Sequence, residues 1–90
     1  MNTAIILINV KRSKLLTVSE FVKSIKGVTE VYTLAGKYDL AAMLRVKDIS
    51  VFHKILTEEM INFDEITHTK TLIALDIHSD LNIEKVFNIS

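Results

Sequence analysis

The chain reads as an α+β domain in which two helices cover one face of a four-stranded antiparallel sheet, and three features of the sequence predict it. Short runs rich in β-branched and aliphatic residues begin at Thr3, Val28, Leu40 and Thr67. Between them, the stretches after Thr17 and after Asp48 place apolar residues three and four positions apart, the period of a helix with one buried face. The resulting order of strand, helix, strand, strand, helix, strand is that of a split βαβ arrangement, the ferredoxin-like βαββαβ sandwich.

Thr3 to Val10 is apolar on both alternating registers, as suits a strand buried on two sides. Thr17-Val18-Ser19-Glu20 has the spacing of a capping box, so the first helix starts there or earlier, near Ser13. Val18, Phe21, Val22 and Ile25 form its apolar face, and Gly27 is placed to end it. Val28 to Ala35 is the second strand, and Gly36-Lys37 turns the chain into a third, Leu40 to Val46, as a hairpin. Asp48 caps a second helix whose apolar face comprises Ile49, Phe52, Leu56 and Met60, with Ile55 beside it, and which ends near Asn62. Thr67 to Ile77 alternates as a fourth strand, with Thr67, Thr69, Thr71, Ile73 and Leu75 on one face and His68, Lys70, Leu72, Ala74 and Asp76 on the other. Residues 80–90 are read as a tail in which Leu81, Ile83, Val86 and Phe87 make a short apolar stripe, so the folded domain is expected over 1–79.

Ninety residues make one domain with one core, and two glycines with no proline leave no room for low complexity. Eleven basic and eleven acidic residues cancel, which argues against direct nucleic-acid binding. The absence of cysteine removes disulfides, thiolate metal sites and thiol catalysis. No apolar run approaches the ~18 residues of a membrane helix, and the first apolar run, Ala4 to Ile8, has neither the basic flank nor the cleavage site of a signal peptide, so a cytoplasmic location and no membrane contact are expected.

The faces of the strands carry a further expectation. The first strand offers Ala4, Ile6, Ile8 and Val10 to one side and Ile5 and Leu7 to the other; the third sets Leu40, Ala42 and Leu44 against Ala41 and Met43. Two helices cover one face only. An apolar sheet face left bare exceeds what soluble monomers expose, so a second copy packed sheet to sheet is expected to cover it.

Chemistry-bearing residues are sparse. The histidines, His53, His68 and His78, are scattered, and two glycines cannot build a phosphate loop; no cofactor or metal is expected. The informative segment is Thr33-Leu34-Ala35-Gly36-Lys37-Tyr38-Asp39, which gathers a glycine turn, an aromatic ring and a carboxylate. Two readings stay open. Asp39 bonds local backbone N–H groups and Tyr38 is an ordinary strand residue, or the turn N–H groups take a carboxylate while Asp39 takes an ammonium, as a zwitterion site would. The threonines of the fourth strand carry the same ambiguity. A small cofactor-independent enzyme on a dimeric α+β barrel is the competing functional class, with His53, Tyr32 or Tyr38 as proton-transfer groups in a buried polar cleft.

Gly27-Val28, Leu34-Ala35-Gly36-Lys37-Tyr38-Asp39-Leu40, Val46-Lys47-Asp48 and Thr69-Lys70-Thr71, taken in order, resemble the effector domain, or RAM domain, of the Lrp/AsnC (feast/famine) transcriptional regulators. The resemblance spans Thr3 to Asp76 and rests most on the G-x-Y-D turn followed by an aspartate-capped helix and a T-x-T strand. It implies a non-enzymatic amino-acid-binding and oligomerisation module that forms a homodimer through its sheets, assembles further into octamers or similar rings, and holds its effector between dimers. It implies ligand-binding roles for Thr33, Leu34, Ala35, Gly36, Lys37, Tyr38 and Asp39, and for Thr69, Thr71, Leu72, Ile73 and Ala74. Asp39 would then take the ammonium, backbone near Gly36 the carboxylate, and Leu34, Leu72 and Ile73 would wall the side chain. Classical members carry a helix-turn-helix domain ahead of this one. Here the strand pattern begins at Thr3, so a stand-alone RAM protein is expected, acting on transcription indirectly or through full-length Lrp/AsnC partners. Asn62-Phe63-Asp64-Glu65-Ile66 stands where relatives often turn on proline and glycine, a departure that bears on pocket shape.

Overall fold

A computed structural model describes residues 2–76 and residue 78. The elements are β1 (Asn2–Val10), α1 (Leu15–Ser24), β2 (Val28–Thr33), β3 (Leu40–Val46), α2 (Ser50–Lys54) with a π-helical continuation over Ile55–Met60, and β4 (Ile66–Ala74). They form one four-stranded sheet of order β2-β3-β1-β4, antiparallel throughout, in the ferredoxin-like arrangement expected. The expected tail stripe and Ile77 lie outside the described residues.

The order explains the composition of the strands. β1 and β3 are the two central strands, and theirs are the runs that are apolar on both registers. On the helix side, Ala4, Ile6 and Ile8 lie with Leu40, Ala42 and Leu44, and all six are fully buried. Val18, Val22 and Ile25 of the first helical segment and Phe52, Ile55 and Met60 of the second close over them. Phe21 stacks on Phe63 with ring centroids 4.1 Å apart, tying α1 to the segment that leads into β4. On the opposite face Ile5, Leu7 and Met43 are half-buried, while Tyr32 and Leu72 are 48% and 42% exposed. The bare apolar face anticipated from the alternation is therefore present.

Local boundaries differ from the sequence reading for identifiable reasons. α1 begins at Leu15 after Lys14, with no side-chain cap, so Thr17 lies inside the first turn and the Thr17–Glu20 box does not form. The start is set upstream, where Ser13 takes φ 70° and reverses the chain so that Val18 and Val22 can reach the sheet. The helix stops at Ile25, whose extended backbone ends it, and Gly27 stands two residues beyond. There its φ of 100° lets the chain double back into β2, and its carbonyl accepts from Arg45 N–H at 2.9 Å. A Cβ at Gly27 would meet Val46 Cγ1 at 3.2 Å. Gly27→Ala is thus expected to destabilise the domain by about 1–3 kcal/mol through backbone strain, with the close contact adding to it, read as a lower urea midpoint at unchanged m-value.

Asp48 precedes α2 and its carboxylate accepts from Ser50 N–H at 3.0 Å, an interaction that holds its pKa below the ordinary value of 3.8. Ile49, expected on the buried face, stands at the N-cap ahead of α2 and is 54% exposed, and after Lys54 the helix widens into a π-helical turn. The five-residue step of that turn aligns Ile55 with Met60, and both are buried. β2 ends at Thr33, two residues short of Ala35, and Leu34 N–H donates to Asp39 C=O at 2.9 Å, so the chain reverses over 35–38 and not in a two-residue turn. β4 starts one residue earlier than expected and ends at Ala74.

Candidate functional site

Asp39 is anchored by β1. Its N–H donates to Ile8 C=O at 3.0 Å and its Oδ2 accepts from Val10 N–H at 2.9 Å, so one residue holds the backbone on both sides of Asn9. This places the reversal carrying Gly36 at the carboxyl end of β1, with Asp39 half-buried. Gly36 takes φ 144°, and a Cβ there would meet no heavy atom within 4 Å, so its requirement is conformational and the loop around it is open.

On the other flank of β1, Thr69 pairs with Ile8 and His68 with Asn9. The register then shifts, since Val10 pairs with Ile66, and the resulting bulge re-aims the side chains at this end of the sheet. Tyr38 reaches across from the loop to stack on His68, ring centroids 6.4 Å apart and planes 18° apart. Lys37 Nζ lies 5.8 Å from the Tyr38 ring centroid. Loop and β4 thus meet over the end of β1. A groove of about 370 Å³ opens beside them, lined by Met60, Ile61, Ile66, Thr67, His68 and Thr69 among others.

The residues singled out from sequence divide accordingly. Asp39 and Thr69 lie beside Ile8, Thr33 stands one strand further out against Leu40, Tyr38 stacks on the His68 that pairs with Asn9, and Gly36 stands in open space. Thr71, Leu72, Ile73 and Ala74 run away along β4, opposite Ile6, Ile5, Ala4 and Thr3. Ala74 lies about 17 Å of strand from Thr69. Thr69, Thr71 and Ile73 pair with residues of the helix face, whereas Leu72 and Ala74 pair with residues of the open sheet face. The proton-transfer groups of the enzymatic reading do not converge: His53 is exposed on α2, Tyr38 stacks at the loop, and the Tyr32 hydroxyl donates to the Glu30 carboxylate. That hydrogen bond raises the Tyr32 pKa above 10.0, because the phenolate would forfeit it. Among the described residues no three His, Cys, Asp or Glu side chains are grouped to hold a metal ion, and no helix is long and apolar enough to cross a membrane.

Two residues of this corner escape the sequence reading. His68 enters it only as a residue on one face of the fourth strand, with a metal role set aside, and Asn9 not at all, since a single polar residue at the end of an apolar run reads as a strand terminus. A larger groove, about 760 Å³, lies at the opposite end of the sheet between Gly27, Val46, Lys47, Val51, Lys54 and Ile55, and contains none of the residues given a ligand-binding role from sequence.

Comparison with known proteins agrees with this architecture. The sequence model of the Lrp/AsnC ligand binding domain matches residues 3–82. No curated protein matches. Among solved structures, TTHA0845 from Thermus thermophilus is 29% identical with a TM-score of 0.83, over 89% of this chain and 100% of that one. The hypothetical protein PHS023 from Pyrococcus horikoshii is 31% identical with a TM-score of 0.79, over 87% of this chain and 94% of that one. E. coli AsnC is 25% identical with a TM-score of 0.83 over 92% of this chain, which spans 56% of the AsnC chain.

Proposed function

The chain belongs to the Lrp/AsnC ligand binding domain family, and from that premise we propose that it is a non-enzymatic module that binds a free amino acid and couples the binding to its own assembly. The observation that carries this reading is the convergence at the end of β1. An open glycine-bearing loop offers backbone N–H groups, the half-buried carboxylate of Asp39 stands beside them, and Thr69 lies across Ile8, about 10 Å away. A carboxylate acceptor beside backbone donors matches the two charges of a zwitterion, with Leu34 of the loop available to meet an apolar side chain. In the same reading the open sheet face takes a second copy, and dimers join into a ring with the effector between them. An effector held between dimers binds one assembly state more tightly than another and shifts the equilibrium by that difference. Regulation of transcription then runs through partners, full-length Lrp/AsnC regulators among them.

The test is the mass of the protein by light scattering with and without each of the twenty amino acids, read together with thermal midpoints. A small subset is expected to raise the midpoint and change the mass. A stable assembly indifferent to all twenty would leave a structural or partner-binding role, and a monomer would remove the sheet-to-sheet pairing.

A further inference from the structure

We infer that Asn9 is a ligand-reading residue of this corner, its side-chain carbonyl oxygen accepting a hydrogen bond from the ammonium group of the bound amino acid. The inference rests on the amino-acid reading above and adds to it the group that recognises the amine. Asn9 Oδ1 is the buried side-chain polar atom left without a hydrogen-bond partner among the described residues. A buried acceptor without a donor costs free energy that a folded chain ordinarily avoids, so an orphan beside an open loop marks where a donor is to arrive.

The donors nearest to it in the chain are already engaged. Val10 N–H is taken by the Asp39 carboxylate, and Asp39 N–H by the Ile8 carbonyl. Across the sheet the partner of Asn9 is His68, whose ring stacks on Tyr38, and the Lys37 ammonium lies over that same Tyr38 ring. None of these groups donates to Asn9 Oδ1, which leaves the acceptor open to a donor carried in by a ligand. An ammonium suits the position, because its three N–H donors can be shared between a neutral amide oxygen and a nearby carboxylate. Asp39 supplies that carboxylate, tied to the residues on either side of Asn9, and only its Oδ2 carries a bond from Val10. Oδ1 of Asn9 is closed to solvent, so a neighbouring group moves aside as the ammonium reaches it.

Asn9→Leu tests this, since leucine branches at Cγ as asparagine does and has neither donor nor acceptor. Each of the twenty amino acids is titrated calorimetrically into wild type and variant, and for the tightest binder the same acid lacking its amino group follows. Wild type is expected to bind the deaminated acid at least about tenfold more weakly than the amino acid, and Asn9→Leu to lose at least about tenfold for the amino acid while binding the deaminated acid as wild type does. The ligand-free variant keeps its assembly mass and a thermal midpoint no lower than wild type, because an orphan acceptor has been removed. Equal affinity in the two proteins overturns the inference. So does a lowered midpoint without ligand, which shows that Oδ1 already has a donor, from a second copy of the chain, in the assembled protein. If Asn9→Leu does not fold, Asn9→Asp, which retains an acceptor, must bind the amino acid at least as tightly as wild type, and weaker binding overturns the inference equally. Wild type that binds none of the twenty refutes the amino-acid reading itself, an outcome distinct from a failure at Asn9.

Discussion

Leu44→Ala is expected to destabilise the domain by about 2–5 kcal/mol, enough to leave much of a domain this small unfolded at 37 °C. Leu44 lies on the central strand β3 with no exposed surface, flanked across the sheet by Ala4 of β1 and Val28 of β2. Its neighbours cannot collapse into the space it would vacate. Ala4 and Ala42 beside it are already the smallest apolar side chains, and the sheet backbone is pinned by ladders on both edges of β3. The loss thus combines the transfer free energy of the deleted methyl groups with a cavity that stays open. Urea unfolding of the variant reads the effect as a large drop in midpoint. Leu72→Ala, on the open face and 42% exposed, serves as the contrast in the isolated subunit. A fall of under 1 kcal/mol for Leu44→Ala would mean that the core is looser than the burial shows.

Asp39→Ala is expected to abolish the amino-acid response and also to cost stability, and a second substitution separates the two effects. In the free protein Asp39 Oδ2 satisfies the part-buried Val10 N–H, so alanine leaves that donor without its partner at a cost of about 1–3 kcal/mol. Asp39→Asn retains a carbonyl oxygen able to accept from Val10 N–H while removing the charge. It is therefore expected to keep the wild-type thermal midpoint within a few degrees and still to lose at least about tenfold in amino-acid affinity. Unchanged calorimetric affinity in either variant would take Asp39 out of the site and leave it the structural role alone. The pairing matters because the carboxylate visibly has one job already, and a binding defect in the alanine variant alone could follow from a displaced loop.

The two open readings of the Thr33–Asp39 segment turn out not to exclude each other. The backbone bond foreseen for Asp39 is real, yet it runs to Val10, twenty-nine positions away, and not to a neighbour in the turn. Membership in the Lrp/AsnC ligand binding domain family, matched over residues 3–82, agrees with what the turn, the aspartate-led helix and the T-x-T strand implied together. The likeness to E. coli AsnC covers 56% of that chain, so the chain corresponds to part of a larger regulator there, and to the whole of TTHA0845.

By itself the amino-acid sequence determined the number and order of the elements, the two faces of each central strand and the position of the glycine-bearing reversal. These are consequences of local periodicity: alternation marks a strand, a spacing of three and four marks a helix, and two-sided apolar runs mark the middle of a sheet. Only the tertiary structure decided where α1 starts, that α2 widens so that Ile55 and Met60 share a face, and that Asp39, Asn9, His68 and Tyr38 meet at one corner. The reason is that strand register and bulges are set by packing between segments far apart in the chain. A shift such as the one between Asn9 and Val10 changes which side chains become neighbours without leaving a local mark in the order of residues.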